Sequence, residues 1–259
     1  MTLANVVTGG VRLRYVQQGP AAGPAIIMLH GYSDSSFSFS RILPLLPPPL
    51  RVIVPDQRGH GRSDRAADYS MDAMAGDVLE LMDALDVPTA TVVGHSMGSF
   101  VARRAAVFAP DRVRRLLLVG AGPSSRNQAV LEVQKAANAL QDPVDAAFVR
   151  DFQYSAVHRP VPREFMEKVI AESLTLDAAT WKAVIAGLVA YTPAESAIRA
   201  PTLVLGGDKD AVFTVDEQCA LASRIDGATV EILEGLGHTP HWEDPTRFVG
   251  PLIRFLYRS

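Results

Sequence analysis

The chain has 259 residues, 48% of them hydrophobic and 20% charged, with a formal net charge of −3. That length and balance suit one folded domain with a substantial core, and they carry no basic excess of the kind that recruits nucleic acid. Cys219 is the single cysteine, so an intramolecular disulfide is ruled out. Its place in a predicted helix reads as a small core hydrophobe.

The first fifteen residues show no basic segment followed by an apolar run, so no signal peptide is expected. The longest apolar stretches are far too short to span a bilayer, and a cytoplasmic protein without membrane contact is the simplest expectation. Val11–Gln17 is the first predicted strand, after the Gly9–Gly10 turn. Ala25–Leu29, Arg51–Pro55, Ala90–Val93, Arg115–Val119, Thr202–Leu205 and Thr229–Leu233 follow. Continuous apolar runs of this length suit strands covered on both faces. Helical patterns separate them. Met71–Leu85 sets Met74, Val78, Leu81, Met82 and Leu85 on one face, Ser96–Phe108 and Val215–Ile225 behave alike, and Pro245–Leu256 opens with a proline in its first turn. Such alternation predicts a parallel sheet wrapped by helices. From about residue 122 to 200 no core strand is evident. Gln128–Leu140, Val144–Phe152, Arg163–Ser173 and Ala178–Val189 are predicted helices, so residues 122–200 read as a helical insertion in a core made of 1–121 and 201–259.

The strand at Ala90–Val93 runs into Gly94-His95-Ser96-Met97-Gly98 and then into a helix. This is G-x-S-x-G in the strand–turn–helix context that exposes a serine hydroxyl at the top of a sheet. The helix start turns N–H groups and a positive dipole end toward developing negative charge. Backbone donors for an oxyanion are expected from Met97, just after the serine, and from Tyr32 in His30-Gly31-Tyr32, the loop after an earlier strand.

A serine hydroxyl needs a base near pH 7. Of six histidines, His30, His60 and His95 lie in glycine-rich turns and suit packing roles, while His158 suits a solvated position. His238, in Gly237-His238 after the last strand, is preferred over His241 as the base. Glu243 and Pro245 read as the start of the last helix. The acid is expected after Thr202–Leu205, where Asp210 is preferred over Asp208, which sits beside Lys209. Ser96, Asp210 and His238 then stand in the chain order expected for this arrangement, all at C-terminal strand ends, where open α/β sheets bind ligands.

These motifs, together with the run Asp56–Asp64, resemble the α/β-hydrolase superfamily from about residue 10 onward. The resemblance implies an eight-stranded, mostly parallel sheet flanked by helices, with an α-helical cap in the place of residues 122–200. It also makes Asp56–Asp64 a hydrogen-bonded turn behind the site. Relatives often carry a proline shortly after the acid, where this chain has Ala211-Val212-Phe213. Relatives with an aspartate nucleophile, the dehalogenases and epoxide hydrolases, are disfavoured by Ser96. Carbon–carbon hydrolases usually have a glycine-rich loop where this chain has Tyr32-Ser33-Asp34-Ser35.

The expected activity is hydrolysis of a small to medium carboxylic ester or lactone through an acyl-enzyme, with no cofactor or metal. Phe213, Phe152 and Trp181 are candidate pocket residues. Cofactor-free perhydrolases, carbon–carbon hydrolases and a non-catalytic small-molecule receptor remain alternatives. A small-molecule substrate is the expected partner, and oligomeric state is not legible.

Overall fold

The computed structural model describes residues 2–258. Eight strands form one sheet: β1 Thr2–Thr8, β2 Val11–Gln18, β3 Ala25–Leu29, β4 Arg51–Pro55, β5 Ala90–His95, β6 Val113–Val119, β7 Thr202–Gly207 and β8 Thr229–Leu233. Their spatial order is β1-β2-β4-β3-β5-β6-β7-β8. β2 runs antiparallel to both β1 and β4, and every later pairing is parallel. The sequence pattern misses β1. This edge strand is mostly exposed, so it lacks the apolar run that marks its buried neighbours.

Both faces of the sheet are covered, as the continuous apolar runs imply. Ile27, Leu29, Ile53, Val92, Leu116 and Leu118 pack on one side with helices α1 (Met71–Ala84) and α2 (Met97–Phe108). Ile26, Met28, Val52, Val54, Val93, Leu117 and Val119 pack on the other, against two 3-10 turns (Ser36–Phe39 and Leu43–Leu45) and the C-terminal helix. Between β6 and β7 lie α3 (Gln128–Asn138), α4 (Ala146–Ser155), α5 (Arg163–Ser173) and α6 (Ala178–Ala190), with a 3-10 turn at Glu195–Ala197. The last elements are α7 (Val215–Ala222), α8 (Pro240–Glu243) and α9 (Pro245–Leu256).

Two expectations need correction. Cys219 is exposed, not a core residue, because α7 turns Gln218, Leu221 and Ala222 inward instead. Glu243 does not begin the last helix. It ends α8, and the cap of α9 is Asp244, whose side chain accepts from the Arg247 N–H. Glu243 is buried, and its carboxylate accepts from the N–H groups of Gly237 and Arg159. It pins the loop after β8.

The turn from Asp56 to Asp64 is hydrogen bonded throughout. Asp56 accepts from the N–H of Ser36 at 2.7 Å and of Arg62 at 3.0 Å. Gly61, at φ 52°, passes so close to the Asp56 carboxyl that a Cβ would lie 2.5 Å from it. Arg58 reaches back from the turn to form a two-pronged pair with buried Asp77 of α1, at 2.6 and 2.9 Å. This clamps the turn to the helix layer.

Candidate active site

Strand register decides which loops meet. Leu29 pairs with Gly94, His95 with Val119, Val119 with Leu205 and Gly207 with Leu233. The C-terminal ends of β3, β5, β6, β7 and β8 therefore align along one edge of the sheet. The loops carrying Tyr32, Ser96, Asp210 and His238 all leave from that edge.

Ser96 sits between β5 and α2 at φ 50° and ψ −117°. A positive φ in a side-chain-bearing residue is strained, and neighbours enforce it. The Ser96 N–H donates to the Val119 carbonyl at 2.9 Å. The flanking glycines are required by close approach: a Cβ on Gly94 would lie 2.2 Å from the Gly98 oxygen, and one on Gly98 would lie 2.2 Å from the Leu29 oxygen. Ser96 is partly exposed, whereas its neighbours His95 and Met97 are buried.

His238 faces Asp210. Its Nδ1 lies 3.0 and 3.1 Å from the two carboxylate oxygens. Asp210 is buried and its Oδ1 also accepts from the N–H of Val212 at 2.8 Å and of Phe213 at 2.9 Å. A proline at either position would lack that N–H. Asp208, the rival, points elsewhere. It accepts from the Gly235 N–H and pairs with Lys209. His241, the other rival, is directed to Ser38 Oγ at 3.2 Å.

Gly120 has a role that the sequence alone does not reveal. It follows β6 at φ 51°, and a Cβ there would lie 2.7 Å from the His238 oxygen and 3.0 Å from Nδ1. Only a glycine lets the imidazole settle against this strand end. The signal was present as Gly120-Ala121-Gly122 after an apolar strand, but glycines there also suit an ordinary turn.

Met97 is the first residue of α2, where an N–H has no intrahelical acceptor. Among the described residues, no protein carbonyl accepts from the N–H of Met97 or of Tyr32. Both stay free to bind an oxyanion. The Tyr32 side chain turns toward the inserted helices and donates its hydroxyl to the Trp181 carbonyl at 2.6 Å. Its ring meets Trp181 and Phe152 edge to face, with centroids 5.0 and 5.8 Å apart. Burial pushes the Tyr32 phenol well above its ordinary pKa, so it stays a neutral donor.

The aromatic residues of the insertion divide by contact. Phe148, Phe152 and Trp181 gather around Tyr32. Phe165 stacks on Phe37 and meets Trp242 in a separate cluster. Tyr154 is exposed. Phe213 lies against Phe100 and His238, with centroids 6.2 and 5.9 Å away, in space that a side chain on Gly122 would fill. Trp181 is fully buried, with no hydrogen-bond partner for its indole N–H.

The remaining histidines take other places. His30 Nε2 accepts from the Gln57 N–H at 3.0 Å, and His60 Nδ1 lies 2.9 Å from the Arg58 carbonyl. Burial lowers their pKa values to about 4 and about 3, so both are neutral supports. His158 is exposed. Among the described residues no group of three or more histidine, cysteine or acidic side chains is placed to hold a metal ion.

The family model for the alpha/beta hydrolase fold matches residues 24–245, and the chain belongs to that family. It is 27% identical to 2-hydroxymuconate semialdehyde hydrolase of Pseudomonas sp. (strain CF600), over 97% of this chain and 92% of that protein. Among solved structures, a hydrolase from Pseudomonas aeruginosa superposes with a TM-score of 0.88 at 26% identity, covering 99% of this chain and 98% of the other. The enol-lactonase from Burkholderia xenovorans superposes with a TM-score of 0.83 at 22% identity, covering 98% and 99%. That last likeness is one of fold alone.

Proposed function

We propose that the protein is a serine hydrolase that cleaves small to medium carboxylic esters or lactones through an acyl-enzyme. The observation that carries this reading is the buried Asp210–His238 pair, at 3.0 Å, set at the same sheet edge as the strained Ser96 turn. Asp210 accepts the proton on Nδ1, which leaves Nε2 of a neutral imidazole as a lone pair. Nε2 takes the Ser96 proton as Oγ attacks the substrate carbonyl carbon. The resulting imidazolium is stabilised by Asp210, and the oxyanion by the Tyr32 and Met97 N–H groups. His238 then passes its proton to the departing alkoxide. Water, deprotonated by the same imidazole, hydrolyses the ester at Ser96 and releases the acid. In a lactone the departing alkoxide stays tethered to the acyl group, and the product is a hydroxy acid. No step calls for a cofactor.

Phe213 beside the base and half-buried Phe152 over the Tyr32 loop are proposed to line the acyl or alcohol pocket under a cap formed by the inserted helices, with fully buried Trp181 packed behind Phe152 and Tyr32 instead of lining it. Apolar walls with few polar groups suit an uncharged organic substrate. A second reading, carbon–carbon bond hydrolysis, is favoured by the likeness to 2-hydroxymuconate semialdehyde hydrolase along nearly the whole chain. It uses the same serine and base on a ketone carbonyl.

The test is hydrolysis of p-nitrophenyl esters of increasing acyl length by the wild type and Ser96→Ala. Turnover by the wild type and a loss of about 10⁴-fold or more in kcat for Ser96→Ala are expected. Turnover retained by Ser96→Ala would exclude the serine mechanism. A folded wild type inert toward every ester would exclude the esterase reading and move the question to carbon–carbon substrates.

A further inference from the structure

Behind the Ser96 turn lies a second buried acid that the mechanism above does not use. Asp34 belongs to the loop that carries Tyr32 and is 4% exposed. Its Oδ1 accepts from Gln153 Nε2 of α4 at 3.2 Å. Its Oδ2 lies 4.0 Å from Nδ1 of His95. Among the described residues no lysine or arginine forms a salt bridge with it.

His95 has only one tautomer that fits. Its Nε2 lies 3.1 Å from the backbone oxygen of His238. A carbonyl offers only lone pairs, so Nε2 carries the proton and donates it. Burial, with His241 and His238 close by, holds the His95 pKa well below its ordinary value. A neutral imidazole has one proton, so Nδ1 is a lone pair. That Nδ1 is buried and has no hydrogen-bond partner. A buried acceptor without a donor is costly and rare, and the group that faces it is the Asp34 carboxyl.

Resting on the serine-hydrolase reading, we propose that Asp34 is a positioning acid for the catalytic histidine. It works protonated, donating its O–H to Nδ1 of His95, whose Nε2–H in turn holds the backbone carbonyl of His238. A rotation that brings the two groups together by about 1 Å completes the bond.

The surroundings of Asp34 agree. From β5 it faces His95, and from the loop after β8 it faces His238, with Asp210 behind. From α8, His241 packs on His95 with ring centroids 4.6 Å apart. Its Nε2 is committed to Ser38, and burial holds its pKa at about 3. From α4 and α5 come Gln153 and, through it, Ser173, and from the first 3-10 turn comes Ser38, whose Oγ accepts from the Trp242 indole N–H. Gln153, Ser173 and Ser38 carry no charge, and burial keeps His95 and His241 neutral as well. In this setting burial pushes the Asp34 carboxyl up to about 7, against smaller opposing effects of Gln153 and His238.

Below about pH 7 Asp34 holds its proton and the chain Asp34–His95–His238 is complete. Above it, a carboxylate faces a lone pair. His95 then moves its proton to Nδ1, toward the anion, and releases the His238 carbonyl. The loop that aims the base loosens, and the rate falls on the alkaline side.

The test follows the rate at which an alkyl fluorophosphonate labels Ser96, read by intact mass from about pH 5.5 to about pH 9.5. Wild type, Asp34→Asn and Asp34→Ala are compared, with Ser96→Ala as the control. Labelling of the wild type but not of Ser96→Ala secures the serine reading independently, and its absence would sink that reading first. Given labelling, the wild-type rate is expected to peak and then fall roughly threefold or more by about pH 9. Asp34→Asn keeps an N–H donor that does not ionise, so it loses the alkaline fall and recovers most of the rate. Asp34→Ala is expected to be about tenfold slower throughout. Superimposable profiles for wild type and Asp34→Asn, or Asp34→Ala labelled as fast as wild type, would overturn the proposal.

Discussion

Asp210→Asn is expected to lower kcat for ester hydrolysis about 10⁴-fold near pH 7, the scale seen when the orienting acid of a serine protease triad becomes an amide. The direction is dictated by the backbone cradle. Oδ1 accepts from the N–H groups of Val212 and Phe213, so an asparagine must leave its carbonyl oxygen there. Its NH₂ then occupies the place of Oδ2 and faces Nδ1 of His238 at about 3.0 Å, while the cradled oxygen, 3.1 Å from Nδ1, is already shared by two N–H groups. The imidazole answers by presenting a lone pair at Nδ1, which moves its proton to Nε2. A protonated Nε2 cannot take the Ser96 proton. Because the amide is the same size and keeps the same two N–H bonds, the melting temperature is expected to hold within a few degrees. A loss of less than tenfold, in a folded variant, would mean that Asp210 does not set the tautomer of the base.

The second large effect is on stability. Arg103 of α2 is 1% exposed, and its Nη1 donates to Glu195 at 2.6 Å. The guanidinium lies over the Phe100 ring, 4.1 Å from its centroid. Burial lowers the Arg103 pKa to about 10 despite the partner, and its Nη2 has no hydrogen-bond partner. Removing the carboxylate with Glu195→Ala strands a buried cation, which costs about 3–5 kcal/mol. Urea denaturation is expected to show this loss. Replacing both residues, as in Arg103→Met with Glu195→Leu, should restore most of it, because an apolar pair of similar volume avoids the desolvation penalty. Glu195 lies where the chain returns from the inserted helices to β7, and Arg103 lies on the helix that starts at Ser96. The pair therefore ties that return segment to the helix behind the nucleophile. A loss under about 1 kcal/mol in Glu195→Ala would show that Arg103 finds solvent or another acceptor.

Much of this architecture was legible because it rests on local signals. Apolar runs marked seven strands, and helical periodicity marked the helices around them. Glycines either side of Ser96 marked a turn whose close approaches to Leu29 and Gly98 leave no room for a side chain. Strand β1 was not legible, since an exposed edge strand has no buried face to print a pattern. The exposure of Cys219 is not legible because its helix is short and buries a glutamine, Gln218, whose Nε2 donates to the Phe213 carbonyl at 2.8 Å. The place of Glu243 is not legible because its partners, Gly237 and Arg159, are set by the folding of a loop. The relay through Asp34, His95 and the His238 carbonyl joins three segments distant in sequence, and no spacing rule along the chain reveals it. The same holds for Gly120, whose role exists only once His238 is packed against it.

The most direct test of the central claim is to trap the covalent intermediate. Wild-type protein is mixed with a p-nitrophenyl ester that it turns over, quenched in acid during the initial burst, digested and mapped by mass spectrometry. The expected result is one acyl group on the peptide containing Ser96, absent from Ser96→Ala. Turnover of that ester with no acyl group on Ser96, and with activity surviving in Ser96→Ala, would contradict the claim that this serine is the nucleophile.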